Sequence, residues 1–251
     1  MRWLLSPCEA AVHHLLDAAE AILGGARSTW ISAGALLVAT LAAWWLYVPI
    51  HELLHAFGCL LTGGGVSELQ IAPLYGGHFL EKVLPFVRAR GEHAGRLAGF
   101  DTGGSDAVYL ATDVAPYLMS IAGAFPMLRA ARRRRSAACF GAGAVLVAAP
   151  LMGLTGDYFE MAGILVSAAL LALGAVPAGS AVGALRCDDL PALLADFPVR
   201  FPDHRLAWAI AVGGTFLLGG LLVTLTLAAA RRVPGGGEAA PAASGAPPSR
   251  P

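Results

Sequence analysis

Long apolar runs separated by short polar patches dominate the chain, at about residues 30–48, 114–130, 136–154, 158–185 and 206–230. Each approaches the ~20 residues that carry a helix across a bilayer. The pattern therefore predicts an all-α polytopic membrane protein with about five transmembrane helices. The first run continues as helix through residue 61, too long for a single crossing at ~1.5 Å per residue, so it tilts or projects its second half into a protein-lined cavity. Ahead of it, Leu4, Leu5, Val12, Leu15, Leu16, Ala19 and Ile22 recur at helical spacing. Residues 1–27 thus read as an amphipathic helix lying at the membrane surface, with His13 and His14 as ordinary interfacial residues.

Two stretches break the apolar rhythm. Residues 62–113 are too long for a connector and require structure of their own. There Val66, Leu69, Ile71 and Leu74 lie between the glycines at 63–65 and 76–77, which predicts a short strand or β-hairpin after the first membrane helix. Residues 231–251 are rich in Pro, Gly, Ala and Ser and read as a disordered tail. The membrane-embedded core accordingly spans 28–230.

Composition narrows the function. Hydrophobic residues make up 57% of 251 positions and charged residues 14%, with zero formal net charge, which argues for the lipid bilayer as a partner and against nucleic acid. Arg132–Arg135 form the strongest basic run, a topology anchor that votes for the cytoplasm at their end of the helices, while Arg231 and Arg232 vote the other way. Cys8, Cys59, Cys139 and Cys187 form no CxxC pair, so a zinc ribbon or thioredoxin-like motif is excluded.

Chemistry is concentrated in "VPIHELLHAF", residues 48–57, at the end of the first apolar run. Histidines four apart on a helix share a face, so His51 and His55 can both present a ring nitrogen to one metal ion. Glu52 sits one position round, placed to act as general base without ligating. Zinc held by such an HExxH helix lowers the pKa of a coordinated water to roughly 7 and polarises a carbonyl. Ionisable groups at the end of a membrane helix are costly and mark function.

A third protein ligand is needed. Cys59 continues the histidine stack but lies ~12 Å along the axis from its start, too far to converge. In "PLMGLTGDYFEMAG" Asp157 separates two apolar runs, as a ligand, a helix N-cap or both; Glu160 shares roughly its face. His78, His93, Asp101, Asp106 and Asp113 in the loop remain alternatives.

The stretch "HELLHAFGCLLTGGGVSELQIAPLYGG" resembles the core of the site-2-protease-like, M50-type membrane metallopeptidases, where HExxH ends a membrane helix before a glycine-rich turn and a β segment. The resemblance implies Zn2+, ligands at His51 and His55, Glu52 as catalytic base, and a third ligand from an Asp on a later membrane helix, which maps best onto Asp157. The Leu-Asp-Gly segment of that family is replaced here by "TGDYFE", and no PDZ-like insertion is present. Residues and resemblance together raise the expectation of a zinc-dependent intramembrane endopeptidase of the bacterial inner membrane, cleaving membrane-associated proteins. The exposed edge of residues 66–73 would hold substrate as an added strand, or the strand merely packs over the site. The rivals are a non-catalytic scaffold or chaperone of the same fold, which would not need Glu52, and a transporter, which would need ionisable residues on several helices.

Overall fold

The computed structural model describes residues 2–152, 157, 158, 161 and 205–233. It is mostly helical. Helix α1 (Arg2–Leu23) precedes α2 (Thr29–Leu61), an uninterrupted 33-residue helix capped by the Ser28 hydroxyl. Strand β1 (Gly65–Ile71), a 3-10 turn (Pro73–Tyr75), helix α3 (Gly77–Val83), β2 (Val87–Ala89) and β3 (Gly95–Asp101) follow. The remaining helices are α4 (Asp106–Arg134), α5 (Ala137–Met152) and α6 (Arg205–Ala229), the last running into a 3-10 turn at Ala230–Arg232.

Helices α2, α4 and α5 pack against one another, and glycines let their backbones approach. A side chain on Gly58 would strike Ala115 Cβ at 2.7 Å, and one on Gly141 would overlap the Ala39 carbonyl. Such close approach fixes the rotation of α2 about its own axis, which later decides where its histidines point. Tyr47, Phe125, Leu128, Ala131, Val145 and Leu146 form the core where the three helices meet, and α1 seats Ala11 and Ala18 on it. Val12 and Leu16 of α1 face outward, and Asp17 ties the helix to Arg132 at 2.9 Å. The amphipathic helix expected over 1–27 is therefore docked on the helical core along a small-residue seam. His14 serves that docking, bonding the Ala230 carbonyl at 2.9 Å.

Among the described residues two helices are long and apolar enough to cross a membrane by length and composition, Thr29–Leu61 and Ala107–Arg134, against five expected. In α2 only 17% of the apolar window is buried, and Trp30, Ile31, Leu37, Val38 and Leu41 face outward. Helix α5 is apolar but only 16 residues long. The run expected at 158–185 and most of the 231–251 tail lie outside the described residues.

Two boundaries depart from expectation. Helix α4 begins at Asp106, capped by Ser105, rather than at 114, because Thr112 and Asp113 are buried polar residues inside the helix, not loop. The β structure is a three-stranded sheet in the order β2-β1-β3 rather than a hairpin. Strand β1 pairs parallel with β2 (Leu69 opposite Val87) and antiparallel with β3 (Ile71 opposite Gly95, Gly65 opposite Asp101), with a bulge near Glu68. Leu69, Ile71 and Val87 pack with Ala56 of α2, clamping the sheet to the helix that carries the histidines.

Candidate metal centre

Helical spacing puts His51 and His55 on one face of α2, and their Nε2 atoms are 3.1 Å apart. Asp157, helical and beyond the end of α5, completes the group: its Oδ2 lies 3.2 Å from His51 Nε2 and 3.5 Å from His55 Nε2. Ligand bonds of ~2.0–2.1 Å in a tetrahedron set donor atoms about 3.3 Å apart. The three observed separations bracket that spacing, so these residues fit one metal ion, and they are the group of this kind among the described residues.

Other contacts decide which atoms face the centre. His55 Nδ1 lies 2.9 Å from the Thr112 carbonyl, which can only accept, so Nδ1 carries the proton and Nε2 presents its lone pair to the cluster. That carbonyl is available for a covalent reason. In a regular helix the Thr112 oxygen would accept from the amide of residue 116, and residue 116 is a proline inside α4. Gly58 brings α4 close enough for the bond to form. His51 Nδ1 is met by the Tyr47 hydroxyl at 2.9 Å, one turn back on the same helix face. Asp157 Oδ2 accepts from the Tyr117 hydroxyl at 2.5 Å. Tyr117 is fully buried beside Tyr158, Met161 and Leu222, and the Tyr158 hydroxyl donates to the Pro150 carbonyl. Two imidazole Nε2 atoms and a carboxylate oxygen thus converge on one point, a donor set that could hold a single cation.

Beside this group is a cavity of about 200 Å³ lined by Glu52, His55 and Asp157, by Thr112 and Asp113, and by β3 from Gly95 to Ala98 with Phe100. Gly95 has no room for a side chain, because a Cβ there would overlap Glu52 Cγ. Its bareness lets the strand pass directly over the carboxylate.

No family model, curated protein or solved structure matches the chain. The arrangement of the site therefore stands on its own geometry.

Of the residues singled out in the sequence, His51, His55 and Asp157 come together, and Glu52 lines the adjoining cavity. The other ligand alternatives fall apart from the donor group where they are described. His78 is exposed and 3.9 Å from Glu81; His93 is exposed; Asp101 accepts from the Gly103 amide at 2.8 Å. Asp113 lines the cavity without joining the donors, and Glu160 lies outside the described residues. Cys59 is buried, its Sγ 3.6 Å from the Gly65 carbonyl, so it locks α2 to the sheet. Of the substrate edge expected at 66–73, Leu69–Ile71 are paired on both sides, with β2 and with β3; β3 is the outer strand of the sheet on the cavity side.

Tyr47, Thr112 and Tyr117 were not singled out in the sequence. Tyr47 had a usable signal, because it precedes His51 by four and so extends the 51–55 stripe. Pro116 was the signal for Thr112, since a proline inside a helix frees the carbonyl four residues before it. Tyr117 had none beyond being a hydroxyl in an apolar run.

Proposed function

We propose that the chain is a membrane-embedded, zinc-dependent endopeptidase that hydrolyses peptide bonds of membrane-associated proteins, akin to the site-2-protease-like metallopeptidases its HExxH segment resembles. The observation that carries this reading is the convergence of His51 Nε2, His55 Nε2 and Asp157 Oδ2 at tetrahedral spacing, beside a cavity that holds a glutamate. Held by these three side chains, zinc would supply a Lewis acid and bring the pKa of a coordinated water down to roughly 7.

The chain's own groups supply the rest. Glu52 takes a proton at its carboxylate during attack and returns it to the leaving amine. The Thr112 carbonyl holds His55 in the ligating tautomer, Tyr47 orients the His51 ring, and Tyr117 holds the Asp157 carboxylate. The open edge of β3 offers main-chain donors and acceptors to an extended substrate segment directly above the cavity. A scaffold would have no use for a carboxylate placed against a glycine in such a cavity.

Trp30, Ile31, Leu37, Val38 and Leu41 lie exposed on α2, which supports lipid around it. The crossings proposed are α2, α4, α5 and α6. Because α6 ends beside α1 and the Arg129–Arg134 end of α4, the side from which α2 departs, the odd count of five is not retained. Placement in a bacterial inner membrane belongs to this proposal.

The test is metal content and turnover together. Purified wild type should carry about one zinc per chain and cleave a membrane-protein substrate. Glu52→Gln should keep the zinc while losing about 10²–10⁴ in rate, the usual worth of a general base. Wild type without metal would sink the proposal. Zinc with an undiminished rate in Glu52→Gln would remove the catalytic assignment.

A further inference from the structure

The arginine run at the end of α4 does more than mark a membrane face. Its members divide into two sets. Arg132 pairs with Asp17, and Arg135 lines a pocket that also holds Asp17 and Glu20. Arg129, Arg133 and Arg134 instead converge with Arg232, which arrives from the turn after α6, around a cavity of about 410 Å³ whose lining includes no acidic residue. A topology signal requires positive charge near the bilayer, not four guanidinium groups from two chain segments gathered on one cavity. Their mutual repulsion is offset by an anion with several acceptor oxygens.

An apolar groove of about 400 Å³ runs between α2, α4 and α5. On α4 it is lined by Met119, Gly123 and Met127, at every fourth position, and helical spacing carries that row on through Ala130 to Arg134. Groove and arginine cavity are therefore consecutive stations along one helix. The polar end takes a phosphate and the apolar end a hydrocarbon chain.

We propose that this surface binds one anionic phospholipid, its phosphate held by Arg129, Arg133, Arg134 and Arg232 and one acyl chain lying in the groove. A free phosphate would use the arginines and leave the groove without an occupant, which is why the lipid is the ligand assigned. The far end of the groove reaches Tyr47, the residue that meets His51, so the acyl chain packs against a positioning residue of the metal centre. The proposal rests on the membrane reading and not on the metal or the peptidase reading.

The experiment is native mass spectrometry of detergent-purified full-length protein exposed to equimolar phosphatidylglycerol and phosphatidylcholine, with and without millimolar inorganic phosphate. Wild type should retain phosphatidylglycerol at least tenfold more than phosphatidylcholine, and inorganic phosphate should not displace it. The combined R133A, R134A and R232A variant should lose that preference, and A142F, which fills the groove, should lower phosphatidylglycerol retention several-fold. Equal retention of the two lipids by wild type overturns the proposal without recourse to any variant. So does unchanged preference in the arginine variant, and displacement by phosphate would reassign the cavity to a free anion. Alkaline carbonate extraction of cell membranes separates the two failures: protein released by carbonate fails the membrane reading, while protein that stays but shows no lipid preference fails this site alone.

Discussion

The two halves of α2 are one helix built under different constraints. Residues 29–46 present Trp30, Ile31, Leu37, Val38 and Leu41 outward, and inward the bare backbone of Gly141 lies against Ala39. Residues 47–61 bury Tyr47, Val48, Pro49, His55, Ala56 and Cys59, and there His55 bonds a carbonyl of α4 and Cys59 a carbonyl of the sheet. The first half needs only to be apolar and helical, and many sequences satisfy that. The second half needs particular atoms at particular places, so its neighbours on other elements are as constrained as its own residues.

The largest expected contrast comes from deleting a donor. His55→Ala or His51→Ala should abolish stoichiometric metal binding, whereas Leu37→Ala, on the outward face of the first half, should leave metal content unchanged; elemental analysis of the three proteins decides it. Loss of metal in Leu37→Ala would mean that the halves are not independent. Asp157→Asn comes next. A ligand loses its charge and should release most of the metal, while a residue that only caps a helix would be served almost as well by Asn. Normal zinc content in that variant would remove Asp157 from the ligand set.

Smaller effects test the supporting contacts. Tyr117→Phe removes the hydroxyl from Asp157 with little change of shape, and should weaken metal affinity by about 10–100-fold, the range for loss of a partner that orients a ligand. Competition with a chelator measures it, and no change would make Tyr117 a packing residue only. Pro116→Ala restores an amide able to compete for the Thr112 carbonyl, so affinity should fall by about tenfold or less, with the helix content by circular dichroism unchanged or raised. An affinity increase would contradict the role given to that carbonyl.

How much was legible beforehand divides along the same line. The HExxH stripe, the continuous helix through residue 61 and the span of α5 are local properties, set by spacing and hydropathy within one segment. The Thr112 and Tyr117 contacts join residues from different segments, and nothing in either local sequence names the other. Asp157 was reached by its isolation between apolar runs, a signal that survives because a carboxylate there is costly without a partner. Strand β3 was missed because "GRLAGFD" carries two glycines and only two large apolar side chains, Leu97 and Phe100, so its alternation is weak. It is a strand because β1 is there to pair with it. The start of α4 was placed too late because hydropathy does not distinguish a polar residue facing solvent from one buried against the metal helix.

Gly95 offers a consequence of another kind, for anyone charting this protein by saturation mutagenesis. A strand residue without a side chain contributes no donor, acceptor or apolar surface, yet any substitution there places a Cβ against Glu52. On a map of tolerated replacements, position 95 should be as dark as positions 51, 52 and 55, while Gly91, in the turn before that strand and with open space around it, should be pale. Intolerance on such a map would then trace the outline of the space around the carboxylate, including places where the chain is silent for chemistry.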